Sequence, residues 1–108
     1  MKTHQDTFVL ATPGRSRPFT DVTSQVAEIV SRAGVQAGTC TVFVQHTSAS
    51  LVIQENADPR VLADLERWAE RIAPEDARYA HDDEGPDDMP AHIRGAITKT
   101  SEVVPITG

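Results

Sequence analysis

Three histidines lie beside predicted turns, close to hydroxyl or carboxylate side chains. His46 precedes a Thr/Ser-rich turn at residues 47–50, His81 precedes an acidic stretch at residues 82–88, and His92 follows that stretch. A single histidine is more often a surface or core residue than a ligand, but neutral imidazole is also the commonest metal ligand in proteins. The spacing argues against a structural zinc site, which needs four close nitrogen or sulfur ligands. It leaves open a site with two or three histidine ligands and a free coordination position.

The acidic stretch dominates the charge of the chain. The net charge is −6, from 10 basic and 16 acidic residues among 108, and five of the acids are Asp82, Asp83, Glu84, Asp87 and Asp88. The stretch has two interpretations, a solvated loop and a loop that binds an ion or a substrate. Because the chain has no basic stripe, duplex nucleic acid is a poor partner.

Hydroxyl and cationic side chains near the histidines could bind phosphate. Thr47 and Ser48 follow His46 directly, and Arg94 follows His92. Turn hydroxyls also bond to local backbone groups, and a surface cation needs no ligand, so these alternatives stay open. A serine nucleophile has little support, because the chain lacks a Gly-x-Ser-x-Gly motif.

Two amphipathic segments predict helices. Residues 23–33 carry apolar side chains at helical spacing, with Thr23 as a predicted N-cap and Gly34 just past the end. Residues 59–72 carry a second apolar stripe. Asp58 and Pro59 suit the start of this helix, so the first interpretation of Asn56 and Asp58 is that they cap it.

The remaining pattern predicts strands. Residues 5–12 are rich in β-forming types, and residues 39–46 alternate strongly, so that His46 ends a strand. Residues 51–55 alternate again and predict a hairpin with 39–46. A short helix at 91–97 and an edge strand at 103–106 follow. The order of elements predicts one α+β domain over residues 1–108, with a mainly antiparallel sheet.

Other features limit the location of the protein. No apolar run is long enough to span a bilayer, which argues against a membrane protein. The N-terminus has no apolar stretch after Lys2, which argues against a secretory signal. The single Cys40 excludes an internal disulfide and fits a reducing compartment. We therefore expect a cytoplasmic protein.

Several of these segments resemble the YjbQ-like family, whose members are described as secondary thiamine-phosphate synthases. The resemblance is carried by residues 20–23, 44–51 (Val-Gln-His-Thr-Ser-Ala-Ser-Leu), 54–59 (Gln-Glu-Asn-Ala-Asp-Pro), 79–81 (Tyr-Ala-His) and 84–93 (Glu-Gly-Pro-Asp-Asp-Met-Pro-Ala-His-Ile). It covers essentially the whole chain. It implies an α+β fold with a mainly antiparallel, β-sandwich-like sheet and two main helices, usually assembled as a homotrimer.

The resemblance also implies a set of site residues. His46, His81 and His92 correspond to the histidine cluster of the family, with Glu84 and Asp87 as further metal ligands. Asn56 and Asp58 correspond to amide and carboxylate partners of that cluster. We expect His46, Asn56 and Asp58 to be catalytic, and Thr47, Ser48 and Arg94 to bind the phosphate of the substrate. Position 88 is commonly Asn in the family and is Asp here. The family pattern continues past Gly108, so the resemblance implies a fold truncated at the C-terminus, without the last strands.

The implied reaction joins a pyrimidine-methyl diphosphate to a thiazole phosphate with loss of pyrophosphate. Such chemistry needs a divalent metal, zinc or magnesium, and groups that stabilise the departing charge. The expected partner is a small phosphorylated molecule. Two alternatives remain: a non-catalytic metal- or phosphate-binding trimeric module, and a metal-dependent hydrolase. We also predict that His46, His81 and His92 converge, within one chain or across a subunit contact.

Overall fold

A computed structural model describes residues 1–11, 19–55 and 57–107. Within these ranges the elements are α1 (Thr23–Ala33), β1 (Gly38–Phe43), α2 (Pro59–Ile72), α3 (Asp88–Ile97) and β2 (Ser101–Ile106). The strands β1 and β2 pair antiparallel, with Gly38 opposite Ile106 and Phe43 opposite Ser101. The predicted α+β class with an antiparallel sheet is therefore confirmed. The predicted short helix at 91–97 is present as α3, which begins three residues earlier, at Asp88.

The ends of α1 and α2 follow local backbone chemistry. Gly34 ends α1 with a φ of 68°, a left-handed conformation that glycine adopts without steric cost. Asp58 caps α2, where its Oδ1 accepts from the backbone N–H of Arg60 at 2.9 Å, and Pro59 begins the helix. The Thr23 cap is wrong, because Val22 occupies the N-cap position. The backbone N–H of Thr23 instead donates to Asp21 at 2.9 Å.

The predicted hairpin is also wrong. β1 ends at Phe43 and takes β2 as its partner, so the strand stops before His46. Leu51 forms a single antiparallel bridge to Lys99, and residues 52–55 are irregular. Alternation gives the faces of a strand but not its partner, because a local and a distant partner require the same pattern.

The predicted N-terminal strand does not form in the described part. Residues 5–11 have no strand structure, and residue 12 lies outside the described residues. β-Forming residue types need a partner strand, and the single described sheet consists of β1 and β2.

The buried residues of the described chain lie at the end of α2 and within α3. Ala69 is 1% exposed, Ala73 is fully buried, and Pro90 is also fully buried. Arg94 joins the two helices, because its Nη2 donates to the carbonyl of Ala73 at 3.3 Å. No helix in the described ranges is both long and apolar enough to cross a membrane.

Candidate metal centre

The helix α3 presents a carboxylate and an imidazole on one face. Asp88 is its first residue and His92 lies four positions later, so the two side chains are neighbours on the helix surface. Oδ2 of Asp88 lies 3.3 Å from Nε2 of His92. The helix begins directly after a turn at Gly85, whose φ is 105°. This turn sets where α3 starts and therefore which residues share its face.

His81 reaches the same carboxylate from the preceding loop. Its Nε2 lies 2.9 Å from Oδ2 of Asp88, and the imidazoles of His81 and His92 meet edge to face with centroids 5.7 Å apart. One potential ligand atom from each of His81, Asp88 and His92 lies within 4.8 Å of the others. We call these three residues the His–Asp–His cluster.

Further carboxylates lie around His81. Oε2 of Glu84 is 3.4 Å from Nε2 of His81, and Oδ1 of Asp83 is 3.7 Å from Nδ1 on the other side of the ring. The side chain of Asp88 is 17% exposed, whereas those of His92 and His81 are 32% and 45% exposed. The carboxylate is therefore partly covered while both imidazoles remain accessible to solvent.

The charges in the cluster shift the pKa values of its members. The pKa of His81 is raised above 6.5, mainly by its hydrogen bond with Asp88, with Glu84 and Asp83 adding to the effect against partial burial. Burial alone would raise the pKa of Asp88. The hydrogen bond from His81 and the charge of His92 outweigh it, so this pKa lies below 3.8. Asp88 is therefore ionised at neutral pH and offers a negative ligand.

The donor set fits a divalent transition metal. Ligands about 2.1 Å from a tetrahedral zinc ion lie about 3.4 Å apart, and the two distances to Oδ2 of Asp88 are 2.9 and 3.3 Å. Two imidazoles with one carboxylate favour zinc or iron over magnesium, which prefers oxygen ligands. His81 would donate Nδ1–H toward Asp83, the outer contact typical of ligating histidines. Such a three-residue site leaves coordination positions open.

The structure places His46 outside the His–Asp–His cluster. Nδ1 of His46 lies 2.9 Å from the backbone nitrogen of Ser48 and 2.9 Å from its Oγ. The turn nevertheless packs against α3, because a Cβ added to Gly95 would lie 3.5 Å from the carbonyl oxygen of Thr47. Of the three histidines, His81 and His92 come together within the chain. Convergence of His46 with them stays a prediction.

The other predicted site residues have mainly structural contacts. Asp58 forms an ion pair with Arg60 at 2.8 Å, and this side-chain hydrogen bonding is the main reason that its pKa is lowered. Asp87 occupies the N-cap position of α3. Nε of Arg94 is buried and has no hydrogen-bond partner within the described ranges. Asn56 lies outside the described residues, and the predicted roles of all four stay predictions.

Sequence reasoning did not assign Asp88 as a ligand. The predicted short helix began at residue 91, which separated Asp88 from His92. The spacing Asp-x-x-x-His at 88–92 is the signal that identifies the pair once both residues belong to one helix.

A cleft opens beside the cluster. It has a volume of about 460 Å3, and His81 belongs both to its wall and to the His–Asp–His cluster. Arg78 is the cation among its lining residues, Tyr79 and Met89 add apolar surface, and the hydroxyl of Tyr79 donates to the carbonyl of Pro74 at 2.6 Å. A ligand in this cleft would lie next to an ion held by the cluster.

The described structure is thus an α+β domain with a two-stranded antiparallel sheet and an accessible His–Asp–His cluster at the start of its third helix. The sequence profile described as "UPF0047 protein YjbQ-like" matches residues 7–108. The chain belongs to this family, which confirms the resemblance seen in its sequence.

Relatives and solved structures agree with this assignment. A UPF0047 protein of Synechocystis sp. is 56% identical over 104 residues, covering 95% of this chain and 69% of the relative. YjbQ of Escherichia coli O157:H7 is 40% identical over 104 residues, covering 95% of this chain and 74% of YjbQ. An uncharacterised family protein of Clostridium acetobutylicum has a similar fold, with a TM-score of 0.70 and 32% identity, covering 82% of this chain and 66% of that chain. This chain spans about two thirds of the length of that solved structure.

Proposed function

We propose that this chain forms a metal-dependent site for a phosphorylated small molecule, with a divalent cation held by His81, Asp88 and His92. The observation that carries the proposal is the approach of the three ligand atoms to within 4.8 Å of one another, with both imidazoles accessible to solvent. Among the candidate metals, zinc fits the two imidazoles better than magnesium.

The cleft supports a ligand with an anionic group and an apolar body. Arg78 supplies a positive charge, and Tyr79 and Met89 supply apolar surface. The carboxylates of Glu75 and Asp82 also line the cleft, so an anionic group would enter only with a cation bound in the cluster. The open positions on a bound cation would attract phosphate oxygens. A cation bound there would offset the negative charge that develops on a leaving phosphate or diphosphate. Arg78 would then orient the anionic group against the His81 side of the cluster.

The reaction that we propose is the one implied by the family resemblance. The bond between the pyrimidine methylene carbon and the diphosphate oxygen breaks, pyrophosphate leaves with the electron pair, and the thiazole nitrogen forms the new carbon–nitrogen bond. Hydrolysis would use water as the nucleophile at the same site, so an assay must separate the two reactions.

The experiment compares the zinc-loaded protein with His92→Ala and with the control His4→Ala. His4 pairs with Asp6 at 4.0 Å and is partly exposed, so its replacement removes a similar histidine outside the cluster. We expect thiamine phosphate and pyrophosphate to form in equal amounts with wild type and His4→Ala, and neither product with His92→Ala.

Three other outcomes contradict parts of the proposal. Release of phosphate or pyrophosphate without thiamine phosphate identifies a hydrolase and contradicts the transferase. Tight zinc binding without turnover of either substrate identifies a binding module and contradicts an enzymatic function. Equal zinc affinity of wild type and His92→Ala contradicts the metal site itself.

We also propose that the protein assembles as a homotrimer. Several apolar side chains outside the cluster are largely exposed, and a contact between copies would cover them: Phe43 (61%), Ile53 (61%), Val103 (59%) and Ile97 (54%). Sedimentation at micromolar concentration should give the mass of three chains. A monomer under these conditions contradicts the assembly.

A further inference from the structure

Ser48 presents donors to one ring nitrogen of His46. The backbone N–H of Ser48 is 2.9 Å from Nδ1 of His46. A backbone N–H can only donate, so Nδ1 must be the accepting nitrogen. The hydroxyl of Ser48, also 2.9 Å from Nδ1, then donates to the same lone pair. A neutral imidazole that accepts at Nδ1 carries its proton on Nε2.

This arrangement is the reverse of that around His81. A histidine that ligates a metal through one nitrogen donates its other N–H to a carboxylate, a carbonyl or water. Nδ1 of His81 faces Oδ1 of Asp83 at 3.7 Å, so a metal would replace the proton that Nε2 shares with Asp88. For His46 to ligate through Nε2, Nδ1 would have to carry a proton that points at the N–H of Ser48. Two opposed donors repel each other, so the contact disfavours that tautomer.

The turn that follows His46 packs on the helix that carries Asp88 and His92. The carbonyl of Thr47 packs on Gly95 of α3, and Gly95 follows His92 by three positions, so it lies on the same side of the helix. The side chain of His46 is exposed. Its Nε2–H is therefore open to a ligand from solvent.

We propose that Ser48 is a positioning residue that fixes His46 as an Nε2–H donor, so that His46 binds an oxygen of the phosphorylated ligand and not the metal. The ligand class rests on the proposed function, whereas the tautomer does not. His46 is then not a metal ligand, and its partner is an oxygen of the phosphorylated ligand.

The first test is the nitrogen spectrum of the imidazoles in uniformly 15N-labelled protein above neutral pH. We expect His46 to show a protonated Nε2 and an unprotonated Nδ1, and to keep this pattern when zinc is added. His81 and His92 should change on the same addition. A proton on Nδ1 of His46, or zinc-ligated shifts at its Nε2, overturns the inference. Unchanged His81 and His92 contradict the proposed metal site and leave the tautomer result standing.

The second test uses inorganic phosphate with the zinc-loaded protein and two variants that differ in which nitrogen they mimic. The amide nitrogen of Gln can occupy the position of Nε2, whereas the shorter Asn reaches only as far as Nδ1. Loss of a hydrogen bond to a charged group weakens binding by roughly tenfold or more. We therefore expect about tenfold weaker phosphate binding with His46→Asn and near-complete rescue with His46→Gln. Equal affinity of wild type and both variants overturns the role of His46 in binding the anion.

Discussion

His81 and His46 have the same side chain in opposite surroundings. Carboxylates of Asp83 and Asp88 face the two nitrogens of His81, whereas the N–H and hydroxyl of Ser48 both face Nδ1 of His46. The first environment favours a positive charge next to the ring, either a proton or a metal ion. The second makes Nδ1 an acceptor and leaves Nε2 as the donor of the ring. The contrast shows that the partner of Nδ1 decides whether Nε2 of a histidine ligates a metal or donates a hydrogen bond.

Replacement of Asp88 should give the largest effect on the cluster. Asp88→Asn removes the negative charge shared by both imidazoles, and loss of an outer-shell contact alone weakens metal binding by about 10–100-fold. We expect zinc affinity to fall by about 100-fold or more in a chelator competition assay. Asp64→Asn is the matched control, because Asp64 is an exposed carboxylate of α2 that pairs with Arg67. Equal zinc affinity of Asp88→Asn and wild type would be incompatible with the His–Asp–His site.

Zinc affinity should depend on pH through His81. The pKa of His81 is raised mainly by its hydrogen bond with Asp88, so below that raised pKa zinc must displace a proton from this ring. Below the raised pKa, affinity should fall by about tenfold for each pH unit, and above it this dependence should disappear. Isothermal titration in buffers of different ionisation enthalpy measures the released protons. Zinc binding without proton release below that pKa contradicts the assignment of His81.

The metal-free protein should show the opposite dependence. A folded pKa above the unfolded value of about 6.5 means that protonated His81 stabilises the fold. This contribution is complete below about pH 6.5 and is lost as the pH rises through the raised pKa. Because the side chain is 45% exposed, the effect is small. Thermal unfolding should therefore give a slightly lower Tm at pH 8.5 than at pH 6 without zinc, and the reverse trend with zinc. A parallel trend in both forms would exclude His81 as the group responsible.

Replacement of two glycines tests the backbone near each histidine: Gly85 lies in the loop after His81, and Gly95 contacts the turn after His46. Gly85→Ala forces a side chain into a φ of 105° with its Cβ 3.1 Å from Oδ1 of Asp87, which should destabilise the fold by about 1 kcal/mol or more. Gly95→Ala meets only an ordinary contact at 3.5 Å, and alanine is the better helix former by about 0.5–1 kcal/mol. Denaturant unfolding should separate the two variants in opposite directions. A stabilised Gly85→Ala would contradict the described turn.

The smallest effect is expected for His46. His46→Ala should leave zinc affinity within about threefold of wild type, because the residue lies outside the cluster and faces donors from Ser48. His81→Ala, measured in the same titration, provides the contrasting large loss. A similar loss in both variants would place His46 among the ligands and remove the distinction between the two histidines.

The sequence predicted elements better than their partners. The bounds of α1 and α2 follow from apolar periodicity and from Gly34, Asp58 and Pro59, all of which act locally. The pairing of β1 with β2 depends on chain segments more than fifty residues apart, and alternation contains no information on distance. The resemblance of residues 44–51 and 84–93 to the family was confirmed by the match over residues 7–108.

The candidate site also combines features that the sequence predicted with features that it did not. The contact of His81 with His92 is one part of the predicted convergence of three histidines, whereas His46 lies outside the cluster. The role of Asp88 depends on where α3 begins, and that start is set by the positive φ of Gly85. The orientation of His46 depends on one backbone N–H. Residue types alone gave neither the start of α3 nor the direction of this hydrogen bond, in contrast to the start of α2.

The position of His81 in a loop and of Asp88 and His92 in a helix has a consequence for proteolysis. An ion bound by all three would cross-link the loop to the first turn of α3, closing residues 82–87 into a short ring and reducing the freedom of the open chain. The ring would resist cleavage, and its opening would loosen the contact of Arg94 with the end of α2. A bound metal would then stabilise the contact between α3 and the end of α2, and removal of the metal by a chelator would expose this region to proteases.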